Sequence, residues 1–131
     1  MNLTPEQARA RLVEALRSGK YVQARFSLRN GDRYCCLGVA CDIYREHGLD
    51  DWALNSASWW CFLGEKYVLP ERVKSWFGFK HQGVLLKNRI EERGAATLTS
   101  LMDMNDAGET FDEIADEIEK GNVILEETSR S

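Results

Sequence analysis

Nowhere in the 131 residues do about 18 apolar residues run together, which excludes an apolar helix long enough to cross a membrane. The opening MNLTPEQARARLVEALRSG holds no uninterrupted apolar stretch of signal-peptide length, so the expectation is a protein that stays in the cytoplasm where it is made. Cys35, Cys36, Cys41, Cys61, His47 and His81 never form two close pairs with CxxC-type spacing, so no metal site is expected. Without an export signal, and with Cys35 and Cys36 adjacent and poorly placed to join each other, the cysteines read as reduced thiols. A glycine-rich phosphate loop is missing, as is a paired acid and base at fixed spacing. Phosphoryl and hydride transfer therefore have no footing, and no cofactor is expected.

What the sequence does have is enough apolar matter for one core: 44% hydrophobic and 10% aromatic residues, with four tryptophans. That composition argues against global disorder, and the length suits one domain rather than two. We expect a single α+β domain over residues 1–125, a small antiparallel sheet of hairpins packed with four to five helices, and a flexible tail at 126–131. The net charge of −4 is unevenly spread: residues 1–33 carry seven basic and three acidic side chains, residues 101–131 two and ten.

Thr4-Pro5-Glu6-Gln7 is a helix start with a capping box, and Ala8, Leu12, Val13 and Leu16 follow at helical spacing to about Ser18. Val22, Ala24, Phe26 and Leu28 then alternate with Gln23, Arg25, Ser27 and Arg29, the period of a half-buried strand with one basic face. A tight turn at Asn30-Gly31 would set Phe26 opposite Cys35 and Ser27 opposite Tyr34, with Cys35 inward and Tyr34 outward. A helix is predicted from Cys36 to about Glu46, then a second hairpin pairing 59–63 with 66–69 around Gly64-Glu65. Pro70 starts a short helix, and 83–86 reads as a short strand. Leu98, Leu101 and Met102 mark another helix, Asn105–Gly108 a turn, and Thr110 with Glu113 a second capping box opening a helix to about Lys120.

Three constellations point to chemistry. Cys36, at the start of a helix, stands where the helix dipole favours a thiolate. This stretch resembles the nucleophile region of papain-like cell-wall peptidases, and His81 in Lys80–Val84 resembles the strand that supplies their base. Leu37 replaces the small polar residue expected there, and no third polar partner follows His81. The stretch from Leu101 to Ala115 resembles a helix-turn-helix, yet it is the most acidic part of the chain, so DNA is not the expected partner. The third is a cationic and aromatic surface of Arg25, Arg29 and Tyr34, extended by Lys20, Arg33 and Trp59 or Trp60. Arginine forks match phosphates and aromatic faces stack on bases, which suits a nucleotide.

The blocks ALRSGKY (15–21), RYCCLGVACD (33–42) and MNDAGETFDEIADEIE (104–119), in that order, resemble a family of small phage and prophage proteins with no assigned activity. The resemblance implies an accessory protein in a bacterial host's cytoplasm that acts by binding, its partner a host signalling nucleotide or a host defence protein. It transfers no catalytic residue. Homo-oligomers fit the same picture.

Overall fold

The computed structural model describes residues 3–91 and 97–127. Among them lie five helices and three small sheets, an α+β domain around one continuous core, as expected.

Helix α1 (Pro5–Arg17) starts where the capping box places it: the Thr4 hydroxyl accepts from the Gln7 N–H at 3.1 Å, and the Gln7 side chain accepts from the Thr4 N–H at 2.9 Å. It buries Ala8, Leu12, Ala15 and Leu16. Helix α2 (Cys36–Glu46) is enclosed on nearly every side, with 36–44 all buried. The Cys35 sulfur caps it, accepting from the Gly38 N–H at 3.3 Å. Gly38 lies so close to Leu28 that a Cβ would overlap the Leu28 carbonyl oxygen, so the central helix touches bare backbone there. Helices α3 (Glu71–Trp76), α4 (Leu101–Asp106) and α5 (Phe111–Glu119) complete the shell. Phe111, Ile114, Ala115 and Ile118 of α5 are buried, and this helix packs on α1.

The strands depart from expectation. The alternation over 22–28 yields only β1 (Val22–Gln23), because the chain leaves the extended region at Phe26, whose φ is +68°. Strands β2 (Arg29–Asn30) and β3 (Arg33–Tyr34) form the hairpin around Gly31-Asp32 rather than Asn30-Gly31. Tyr34 therefore faces Arg29, not Ser27, and Phe26 stands exposed rather than opposite Cys35. The slip is two residues in pairing, an even number, so Cys35 stays inward as expected. β1 joins β3 in parallel, making a three-stranded sheet of order β1-β3-β2.

Strand β5 (Trp60–Phe62) pairs with β4 (Trp52–Leu54) instead of with 66–69. The turn after it sits at Leu63-Gly64, both at positive φ, and closes on the single bridge Phe62–Glu65. Strand β6 (Leu85–Glu91) pairs with β7 (Thr97–Ser100), so Leu98 belongs to a strand and not to a helix. Residues 122–125 lie between two other segments. Leu125 bridges Phe79 and Val123 bridges Leu86. Glu126, at the start of the expected tail, accepts from Lys74 Nζ at 3.3 Å and the Ser75 hydroxyl at 3.1 Å; residues 128–131 lie outside the described ones.

Candidate functional site

A carboxylate inside an apolar helix needs partners, and Asp42, among the buried residues of α2, has three. Tyr21 Oη donates at 2.6 Å, Arg45 Nε at 2.7 Å and Trp52 Nε1 at 3.1 Å. Burial alone would raise its pKa, but the hydrogen bonds from Arg45, Tyr21 and Trp52 prevail and hold the carboxyl below its usual value. Burial, followed by the bond to Asp42, pushes the Tyr21 phenol upward, so Tyr21 is a fixed donor.

These fixed rings support a second layer. The edge of Tyr34 meets Tyr21 at 5.2 Å and Trp52 at 5.8 Å between ring centroids. The β2–β3 pairing sets Arg29 directly across from Tyr34, and β5 packs beside β2. The Arg29 guanidinium thus enters an aromatic cage, 3.8 Å from the centroid of Trp60, 5.2 Å from Tyr34 and 5.4 Å from Trp52. Its Nε donates to the Gly31 carbonyl at 2.8 Å, which fixes the rotation of the fork. No ion pair among the described residues involves Arg29 or Arg33. Beside the cage, Lys66 Nζ lies 4.3 Å from the centroid of Trp59 and 5.2 Å from that of Tyr67, and both rings are exposed. The Lys66 carbonyl accepts from the Leu28 N–H at 2.8 Å, linking this second cation to the first.

Of the residues named from sequence, Arg29, Tyr34 and Trp60 meet in the cage. Arg33 is exposed on β3, next to Tyr34, and Trp59 precedes Trp60 as the partner of Lys66. Lys20 and Arg25 are engaged elsewhere. Lys20 Nζ lies 3.9 Å from Glu46, and the Arg25 guanidinium packs on Gly108, in the turn between α4 and α5. The sequence reading missed Trp52, Lys66, Tyr21, Asp42 and Arg45. The legible signal was Asp42 itself, a charged residue between Ala40, Cys41, Ile43 and Tyr44 on a helix otherwise apolar on that side.

The MNDAG block closes the structure behind this region. Asn105 is buried, donates to the Ala24 carbonyl at 2.7 Å, and accepts from the Cys36 N–H at 3.0 Å and from Gln23 Nε2 at 2.9 Å. The Asp106 carboxylate accepts from the Phe26 N–H at 2.8 Å.

The thiols serve the core. Burial pushes Cys35 up to about 12 and raises Cys36 and Cys41 well above the ordinary thiol value. Cys36 Sγ has the Leu101 carbonyl as its partner, at 3.6 Å. His81 is half-buried in the turn before Val84, with Nδ1 buried and without a hydrogen-bond partner among the described residues. Among those residues no group of His, Cys, Asp and Glu is arranged to hold a metal, and no helix is long and apolar enough to cross a membrane.

Comparison with curated proteins and with solved structures yields no match. Residues 5–122 match a domain of unknown function, DUF8296, a span that runs from the first residue of α1 to beyond α5 and takes in every residue of the cage. The chain belongs to the DUF8296 family.

Proposed function

We propose that the protein acts by binding a nucleotide at the cage of Tyr34, Trp52 and Trp60, with Arg29 as the phosphate-reading cation. The observation that carries this reading is the state of Arg29: held 3.8 Å from the Trp60 centroid, anchored at Nε, and paired with no carboxylate among the described residues. A guanidinium held over an aromatic ring, with Nε taken by the Gly31 carbonyl, still has its terminal N–H donors for an oxyanion, and the ordering of its side chain is complete before a ligand arrives. Arg33 adds positive charge on the adjoining strand. The exposed rings of Trp59 and Tyr67, with Lys66 between them, supply π-faces for a base.

The block resemblance to small phage and prophage proteins supports the biological side of the proposal: a cytoplasmic accessory protein that withdraws a host signalling nucleotide by holding it unchanged. Thiols kept protonated by burial, with a carbonyl rather than an imidazole as the partner of Cys36, favour binding over cysteine chemistry.

Tryptophan emission tests it, because Trp60 and Trp52 border the site. Titration with adenosine and guanosine mono-, tri- and cyclic phosphates should give a saturable change for at least one of them. The change should weaken with salt and vanish in Arg29→Glu. A saturable signal that is unaltered in Arg29→Glu would place the ligand elsewhere.

A further inference from the structure

Lys66 is a second cation seated on aromatic rings, and no ion pair among the described residues uses its charge. Its Nζ lies 4.3 Å from the Trp59 centroid and 5.2 Å from that of Tyr67, and these rings are 41% and 51% exposed. Asp32 and Glu65 stand near Arg29 and Lys66 in the chain, yet neither carboxylate comes within 4.0 Å of either cation. The two cations are neighbours through the backbone. Leu28, next to Arg29, donates its N–H to the Lys66 carbonyl at 2.8 Å and accepts from the Cys35 N–H at 3.1 Å. Leu28 is itself fully buried, so the joint between the two stations is fixed.

The cations stand side by side without converging. Arg29 is held on Trp60 and Lys66 on Trp59, and consecutive side chains of an extended chain leave it in different directions. Arg29 is further fixed through its Nε on the Gly31 carbonyl. One phosphate group therefore does not satisfy both. The exposed faces of Trp59 and Tyr67 accept a base by stacking. A ligand that uses all of these groups has its base on those rings and a phosphate on each side of its sugar.

We infer that the site takes a nucleoside phosphorylated on both its 3′ and 5′ sides, with one phosphate on Arg29 and the other on Lys66. The unit occurs free, in a dinucleotide and in a single strand, and the chemistry recognised is the same in each. The inference rests on the proposed nucleotide reading and narrows its ligand class. A 5′-diphosphate, with its two phosphates adjacent on one side of the sugar, leaves Lys66 unused.

Titrations of tryptophan emission with the 5′-monophosphate, 5′-diphosphate and 3′,5′-bisphosphate of adenosine and of guanosine test it. For at least one base the 3′,5′-bisphosphate should bind roughly tenfold or more tighter than the 5′-diphosphate, the effect of one added charge-assisted contact. Lys66→Ala should erase that preference and Lys66→Arg should keep it, with both variants folded as wild type by circular dichroism. Arg29→Glu should lose every ligand. Equal affinity for the two doubly phosphorylated ligands in the wild type overturns the inference and leaves the nucleotide reading standing, as does a preference that survives in Lys66→Ala. Failure of every ligand to bind overturns both. Once the preference is seen, competition between the dinucleotide pApA and a longer single strand identifies the source: a strand that displaces pApA assigns nucleic acid, and one that does not assigns the free small molecule.

Discussion

Gly38 sits in the first turn of α2 with Leu28 backbone where a side chain would be, and nothing flexible lies there to move aside. Gly38→Ala should therefore cost about 3 kcal/mol or more in urea unfolding, since the helix must shift bodily from the chain beneath it. A loss below about 1 kcal/mol would mean that the two segments are not in contact. The cysteines give a second test. Native protein treated with a neutral alkylating reagent should lose one thiol quickly, half-exposed Cys61, while Cys35, Cys36 and Cys41 react only after denaturation. Fast modification of Cys36 would revive the nucleophile reading. That reading was natural, because a cysteine opening a helix looks the same in sequence whether it faces solvent or the core. Residues with local partners were legible: Thr4 and Thr110 each cap the helix that starts at the next residue, accepting from the N–H three residues downstream. Asn105 was not, because its partners Ala24 and Cys36 lie 81 and 69 positions away, and a buried staple and a turn asparagine share one spelling.

At the scale of elements, helices were readable and strands were not, for a physical reason. A helix satisfies its backbone within itself, so its signals lie within a turn of its ends. For α5 the Thr110 hydroxyl accepts from the Glu113 N–H at 3.1 Å, and Glu113 Oε1 accepts from the Thr110 N–H at 2.8 Å. Thr110→Ala should lower stability by about 1 kcal/mol, with Thr110→Ser near wild type, as read from denaturant midpoints. Equal stability of the alanine variant would contradict the cap. A strand needs a partner chosen elsewhere, and here the strands are two to seven residues long, too short for alternation to select one. The expected partner of 59–63 was 66–69, but the turn at Leu63-Gly64 narrows that pairing to one bridge, and Trp60 pairs with 52–54 instead. The alternation over 22–28 failed at Phe26, where a left-handed residue ends the pleat.

At the scale of the molecule, the opposed charges of the two ends are explained by packing. α1 lies on α5, and Arg17 meets Asp116 and Glu119 at 2.7 Å and Asp112 at 3.9 Å. The cage was half legible: Arg29, Tyr34 and Trp60 were named, while the Asp42 layer beneath them is assembled from three separate segments, Tyr21 ahead of β1, Asp42 and Arg45 on α2, and Trp52 on β4. That layer couples stability to pH. Because the folded pKa of Asp42 lies below its unfolded value, its contribution is complete above about pH 4 and is lost as pH falls through the folded value. Asp42→Asn should be less stable at neutral pH and lose less on acidification, measured by urea unfolding at a series of pH values; parallel curves would contradict the network. The central claim, that the caged Arg29 reads a nucleotide phosphate, is tested most directly by thermal unfolding of wild type and Arg29→Glu against mono-, tri- and cyclic nucleotides. Ligand at about 100 times its dissociation constant adds roughly 2.7 kcal/mol, a rise of several degrees. Wild type should show such a rise for a selective subset of nucleotides, and Arg29→Glu for none. A flat panel for the wild type, or an equal rise in the variant, would contradict it.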